Sequence, residues 1–341
     1  MLAVEPGREE HCAETIHHIT EQFKTTPDGM NLQNLIDENK AAGIELKSRS
    51  KVSRYKTSFL SQMRALLWRS WMSILKEPMV TRIRIFQIIT SAIIFGLLYF
   101  DQGLDQKGIM NINGILFLCV VNMSFSNMNM VVNLFCQEIP LFLREHFSGM
   151  YSSYAYFMAK QIVELPIMFL IPLLFLSILY FMVGLNSSIN RFVSSLLILE
   201  LIAQCAVSFG YFISCLASTP QTAMALSAPL LMPLMLFGGF FINDRSIPNW
   251  IDWLKYLSWL RYGNEAMMIN QWEGVTGFIC QEEEDPTRET CVTHGEQVLQ
   301  AFGFQKENFW MNVGCMCGLV VGFKTLAFLA LLSKTCRHMK R

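Results

Sequence analysis

Six long apolar segments follow one another from position 83 onward, and polar or charged residues separate them. Each is close to the roughly 20 residues that cross a hydrocarbon core of about 30 Å at a rise of about 1.5 Å per residue. The pattern predicts an all-α, polytopic membrane protein with six transmembrane helices. The predicted spans are Ile83 to Phe100, Gly114 to Cys136, Ile162 to Leu185, Phe192 to Leu216, Ala223 to Ile242 and Trp310 to Leu332.

The sequence before the first span has a different character. Residues 1–57 are polar and contain one short helical candidate near Asn31 to Ala42, as expected for the end of a soluble domain and a linker. Apolar side chains then recur every three or four residues from Phe59 to Leu75, which predicts an amphipathic helix in the membrane interface within residues 58–78. Residues 79–341 form the membrane domain, with an outer loop at 244–309. Aromatic residues between Trp250 and Tyr262 predict a second interfacial element, on the outer face.

The charges near the spans predict the orientation in the membrane. Ten cations stand against the single acid Glu77 between positions 47 and 84, which marks this flank and, with six spans, both termini as cytoplasmic. The acidic loop between spans five and six then lies outside, as does the glycosylation sequon at Asn186. In that outer loop, Cys280 and Cys291 are the best candidates for a disulfide. Formal net charge is zero, and we expect no nucleic-acid partner.

Few residues point to catalysis within the membrane. The sequence contains no G-x-x-x-x-G-K-[ST] loop, so we expect no ATP binding or ATPase activity from this chain alone and no cofactor in it. All six histidines lie outside the spans, and we expect no metal site. Glu200 and Lys324 lie within spans, where an ionisable residue either is functional or forms a pair that fixes packing. Met232 and Met235 either line an adaptable cavity or pack the core.

Two blocks of sequence carry a resemblance to a known family. The first block comprises residues 138–140, 143–151, 156–160 and 164–166, and the second comprises residues 236–243, 256–262, 264–265 and 269–272. The first block resembles the cytoplasmic loop and third-span entry of the ABC-2 type membrane domain in subfamily G ABC half-transporters. The second block is similar to the white, scarlet and brown group of insect eye-pigment-precursor transporters.

The resemblance implies roles for individual residues. Asn122 and Phe125 would line the central substrate cavity, and Phe240 and Phe241 would form a hydrophobic plug between the cavity and its exit. A loop that transmits closure of a nucleotide-binding domain would carry Glu138, Arg144 and Glu145, and the outer loop would carry a disulfide. Two departures stand out: Glu200 replaces an expected neutral residue, and span two has one extra residue before Glu138 compared with a multidrug member of the subfamily.

The function implied by the resemblance is ATP-driven transport. The chain would be the membrane-spanning half of a half-transporter that has lost most of its nucleotide-binding domain, where the family binds ATP and Mg²⁺. It would pair with a homologous half, in a homodimer or a heterodimer, and move a small aromatic or purine pigment precursor across the plasma membrane or a pigment-granule membrane. The alternative is a six-span channel or membrane enzyme unrelated to ATP-driven transport, although no charged pore ring or catalytic cluster is visible in the spans.

Overall fold

A computed structural model describes residues 9–41, 55, 57–76, 78–186, 188–241, 250–278 and 292–339. The chain divides into two compact units, Met1–Lys56 and Thr57–Arg341. The first unit contains helices α1 (Glu9–Lys24) and α2 (Pro27–Ala41). Helix α2 matches the segment that the sequence predicts as helical, and α1 was not expected.

The second unit consists of helices throughout its described part. They are α3 (Phe59–Lys76), α4 (Pro78–Leu98), α5 (Gln106–Phe147), α6 (Ser153–Val183), α7 (Ile189–Leu216), α8 (Pro220–Leu236), α9 (Trp259–Trp272), α10 (Gly295–Ala301) and α11 (Phe309–Met339), with short 3-10 helices at Asp252–Leu257 and Lys306–Asn308. The described residues contain no strand, and an isolated bridge joins Thr276 and His294. The all-α fold is thus confirmed.

Five of the described segments are long and apolar enough to cross a membrane, namely α4, α5, α6, α7 and Lys306–Cys336, which contains most of α11. The predicted fifth span corresponds to α8, which has only 17 residues. At about 1.5 Å per residue it is roughly 26 Å long, a little short of a hydrocarbon core of about 30 Å. Five predicted spans are therefore present, and the full count of six is not established.

Helix α8 ends before the predicted end of its span for a local reason. A capping box between Thr219 and Thr222, with Pro220 following the cap, begins the helix. At its other end, Gly239 adopts a φ of +78°, a conformation that glycine tolerates and other residues rarely adopt. The backbone turns there, so the helix cannot reach the predicted end at Ile242, which lies outside the described residues.

Helix α5 is longer than its predicted span, because the helix continues from Cys136 through Pro140 to Phe147. Beyond Cys136, apolar side chains at three- and four-residue spacing (Ile139, Phe142 and Leu143) remain buried and hold this extension against the protein. The expectation that Glu138, Arg144 and Glu145 lie in a loop is therefore wrong, since all three lie on the last turns of α5.

Helix α7 is the centre of the bundle. It packs against α5 and α11 most extensively, and also against α6, α8 and α9. Gly210 allows α7 to approach α5 closely, because a Cβ atom at this position would lie 3.1 Å from the backbone oxygen of Met128. Most of α7 is buried, as expected for a helix that is apolar on all sides.

The aromatic segment after α8 is the main departure from the predicted architecture. Trp250, Trp253 and Tyr256 are exposed, as an interfacial element requires, but α9 is buried along its length apart from the half-buried Arg261. Its two terminal tryptophans donate hydrogen bonds to α5, from Trp259 to Ser124 at 3.0 Å and from Trp272 to Asn113 at 2.6 Å. The expectation of an outer interfacial element is wrong for this half, because Trp259 and the residues that follow it are buried in the bundle and both terminal tryptophans find hydrogen-bond partners there.

Candidate functional site

One face of α5 carries a row of polar side chains at membrane depth. Asn122, Ser126, Asn129, Asn133 and Gln137, hereafter the polar stripe, recur at three- and four-residue spacing and share one side of the helix. All five are half-buried or exposed, whereas the positions between them on the opposite side are buried. The stripe extends over roughly 22 Å at about 1.5 Å per residue.

Exposing such a row of amide and hydroxyl groups to lipid costs free energy, so the row needs a protein partner or a water-filled cavity. In the described part of this chain, few groups form hydrogen bonds with the side chains of the stripe. Ser227 on α8 donates to the side-chain oxygen of Asn129 at 3.3 Å, and Asn133 donates to the backbone oxygen of Asn129 at 3.0 Å. The amide nitrogen of Asn122 is buried without a partner. The stripe can therefore recognise polar groups that come from outside the chain.

Of the residues predicted to line a substrate cavity, Asn122 belongs to this stripe and Phe125 lies beside it on α5. Phe125 lies three residues after Asn122 and packs partly against the core, which leaves part of its ring uncovered. On α8, Met235 also packs partly against the core, and Met232 is half exposed. A flexible methionine and an aromatic ring beside amides offer apolar contact together with hydrogen bonds.

A cluster of aromatic rings surrounds the residues predicted as a plug. Phe117 on α5 stacks on Phe240 at 4.8 Å between ring centroids and meets Phe241 edge-to-face at 5.3 Å. Phe302 stacks on the other side of the cluster, 6.2 Å from Phe240, and Phe304 stacks on Phe302 at 6.0 Å. Phe240 and Phe241 thus belong to a five-ring cluster. Along α5, Phe117 lies roughly 12 Å from Phe125.

Ion pairs join α5 to α6 near the end of α5. Lys160 lies 2.5 Å from Glu138 and 3.1 Å from Glu164, so one ammonium group forms ion pairs with two carboxylates. Each carboxylate also accepts a phenolic hydrogen bond, Glu138 from Tyr156 at 3.1 Å and Glu164 from Tyr211 on α7. Ion pairs and hydrogen bonds together can stabilise such a partly buried set of charges.

A second ion pair connects α3 to the last turn of α5. Arg69 donates to Glu145 at 2.7 Å, and the hydroxyl of Tyr151 donates to the same carboxylate oxygen at 2.5 Å. The hydrogen bond to Glu145 raises the pKa of Arg69. Burial raises the pKa of Tyr151, and its hydrogen bond to Glu145 raises it further. Arg144, the third residue predicted here, is exposed.

The comparisons with known proteins agree with this arrangement. Residues 61–272, which contain most of α3 and all of α4 to α9, match the model of the ABC-2 type transporter family. The chain belongs to this family.

Three similar proteins illustrate the relationship. The chain is 38% identical to Protein white of Drosophila melanogaster over 97% of its own length and 48% of that protein. It is 31% identical to Protein scarlet of the same organism, over 97% of the chain and 50% of that protein. It is also 31% identical to the mouse broad substrate specificity ATP-binding cassette transporter, over 82% of the chain and 43% of that protein. The chain spans about half the length of the relatives it matches, and the resemblance to the subfamily G group is confirmed.

The remaining predicted residues of this ABC-2 type chain include two charges within spans, a sequon and two cysteines. Glu200 accepts a hydrogen bond from Gln204 at 2.9 Å through one oxygen, and its other oxygen is buried without a partner. Among the described ion pairs none joins Glu200 to Lys324. The backbone oxygen of Asn186 accepts from Tyr180 at 2.5 Å, and glycosylation there stays a prediction. Cys280 and Cys291 lie outside the described residues.

Sequence reasoning missed several residues that pair or pack with the predicted ones. They are Arg69, Phe117, Lys160, Glu164, Tyr211, Phe302 and Phe304. Lys160 and Glu164 are four residues apart on α6, a spacing that predicts an ion pair on a helix and could have been recognised. Contacts over long sequence separations, such as that between Phe240 and Phe302, leave no comparable signal in the sequence.

Proposed function

We propose that this chain is the membrane-spanning half of an ATP-driven ABC half-transporter that pairs with a homologous half. The observation that carries the proposal is the polar stripe, which is polar at membrane depth and incompletely satisfied within the chain. A twofold axis close to the stripe would bring two copies together around one cavity and remove them from lipid. The partner is a second copy of this chain or a homologous subunit.

We further propose that the cargo is a small, flat aromatic or purine compound, such as a pigment precursor. The names of the similar transporters and the side chains beside the stripe support this choice. Two Phe125 rings, one from each half, can clamp a planar ligand between apolar faces, and Asn122 offers an amide donor and acceptor to its edge. The five-ring cluster of Phe117, Phe240, Phe241, Phe302 and Phe304 acts as the plug between this cavity and the exit.

We assign ATP and Mg²⁺ to a nucleotide-binding domain outside this sequence, because the sequence has no phosphate-binding glycine loop. In the described residues, no group of three or more His, Cys, Asp or Glu side chains could hold a metal ion. Closure of the nucleotide-binding domain acts on the end of α5 through Glu138, Arg144 and Glu145. Both termini face the cytoplasm, in the plasma membrane or a pigment-granule membrane.

The experiment that tests the proposal measures ATP-driven uptake of radiolabelled guanine and tryptophan into vesicles that contain the complete transporter. We expect Phe125→Ala to abolish uptake while insertion and dimerisation stay normal, and Asn122→Ala to change the preference between the two compounds more than the capacity. Phe86→Ala is the matched control, because Phe86 on α4 is 72% exposed and faces away from the core. Normal uptake by Phe125→Ala at normal abundance contradicts the aromatic clamp.

A further inference from the structure

A buried arginine on α4 lacks partners for most of its hydrogen-bond donors. Arg84 is only 5% exposed, and its Nη2 donates to the side-chain oxygen of Asn127 on α5. Its Nε and Nη1 are buried and have no partner. No ion pair involves Arg84 among those of the described residues. Two buried donors without acceptors are costly, so the folded protein gains if acceptor oxygens reach them.

Arg84 lines a partly enclosed cavity of about 130 Å³ between α3, α4, α5 and α6. A cavity needs only roughly 10–15 Å³ to hold one water molecule, so this one has room for a small organic group. Part of its wall is apolar, formed by Ile74, Val80, Met130 and Leu134. The cavity shares no residue with the polar stripe.

The other charged groups in the wall are already satisfied. Glu138, Lys160 and Glu164 line the same cavity. Lys160 pairs with both carboxylates, and each carboxylate accepts a further hydrogen bond from a tyrosine. Of the charged residues in the described wall, Arg84 alone has buried donors without acceptors. The ligand that complements the wall is therefore an acceptor with negative charge, attached to an apolar body.

We propose that this cavity binds a small organic anion, with its carboxylate or phosphate group on Arg84 and its apolar part against α4 and α5. A carboxylate or phosphate oxygen accepts charge-assisted hydrogen bonds from a guanidinium group and compensates its charge. The same anionic group can belong to a free metabolite or to a lipid headgroup from the adjacent leaflet.

The test measures binding to the purified chain in neutral phosphatidylcholine nanodiscs, without ATP. Benzoate is the probe, and benzamide is its uncharged control of the same shape. We expect benzoate, at about 100 times its Kd, to raise the melting temperature by roughly 5 °C, and benzamide to leave it unchanged. Equilibrium dialysis with radiolabelled benzoate gives the affinity directly and does not depend on stability.

Two variants and one control locate the site. Arg84→Met should weaken benzoate binding at least about tenfold, as expected for loss of a charge-assisted hydrogen bond. Arg82→Met is the matched control, since Arg82 is an exposed arginine on the same helix and should bind benzoate normally. Asn127→Asp supplies a built-in carboxylate to Arg84, so it should abolish benzoate binding and raise the melting temperature without ligand. This second variant keeps the test decisive if Arg84→Met does not fold.

Inorganic phosphate and nanodiscs that contain phosphatidic acid distinguish the sources of the anion. Stabilisation by benzoate or phosphate that depends on Arg84 assigns the site to free anions. Stabilisation that depends on Arg84 and occurs only with phosphatidic acid assigns it to a lipid headgroup. The proposal is overturned if no anion binds, if benzamide acts like benzoate, or if Arg84→Met and Asn127→Asp bind as the unmodified chain does. These results leave the proposed transport function standing, because no step of the assay requires transport.

Discussion

Arg69 on α3 and Glu145 on the last turn of α5 form an ion pair across 76 positions of sequence, with 2.7 Å between Nη1 and Oε2. The pair connects the amphipathic helix to a residue that the family resemblance places in the coupling region. Through Lys160, the same helix α5 is also connected to α6. The end of α5 is therefore ion-paired to two neighbouring helices.

We predict that Arg69→Ala and Glu145→Ala each destabilise the chain by about 1 kcal/mol, and that the double variant loses little more than either single one. The value is small because half of the Arg69 side chain is exposed, where solvent screens the pair. A double-mutant cycle from denaturation in detergent measures the coupling. Arg64→Ala, at an exposed arginine on α3, is the control. Strictly additive losses would show that the two side chains do not interact.

A larger loss of stability is expected when Lys160 is replaced, because its side chain is only 14% exposed. Lys160→Met should destabilise the chain by about 3 kcal/mol, because it leaves the partly buried carboxylates of Glu138 and Glu164 without their counter-ion. Replacing both acids by glutamine in the same chain should restore most of that stability. Thermal denaturation of the two variants measures this, with Lys107→Met as the control at an exposed lysine. Failure of the triple variant to regain stability would refute the electrostatic explanation.

The tight burial of α9 predicts strong sensitivity at Gly263. A Cβ atom there would lie 2.6 Å from Cδ1 of Ile202 on α7, so Gly263→Ala should destabilise the chain by about 1–3 kcal/mol through overpacking. Gly318→Ala on α11 meets no atom within 4 Å and should be neutral or stabilising by up to about 1 kcal/mol. The melting temperatures of the two variants test this prediction. Equal melting temperatures would place α9 outside the core.

Cys280 and Cys291 are predicted to form a disulfide within the outer loop. The described residues that flank this segment support the prediction, because Thr276 and His294 form an antiparallel bridge that holds the two ends of the segment together. A loop of this length should gain roughly 2–3 kcal/mol from the crosslink. Peptide mapping by mass spectrometry without reduction should recover one crosslinked peptide, with a Cys280→Ser chain as the control. Recovery of both cysteines as free thiols would contradict the prediction.

The sequence alone determined the elements whose signal is local. Long apolar segments predicted the spans found as α4, α5, α6, α7 and α11, and periodicity predicted α3, because apolar length and spacing follow directly from the chemistry of crossing or lying on a membrane. The motifs that carry the family resemblance also identified the family. Asn122 and Phe125 could be placed on one helix face, since side chains three residues apart share a face.

Tertiary structure decided what depends on contacts between distant positions. Local sequence does not reveal that α5 continues through Pro140, since buried contacts of Ile139 and Phe142 hold it in place. The aromatic segment at Trp259 has the composition of an interfacial element, yet a hydrogen bond to Ser124 on α5 allows its burial. The missing partners of Arg84 likewise follow from the packing of four helices around one cavity. Each of these outcomes depends on which groups meet after folding, and no spacing along the chain encodes that.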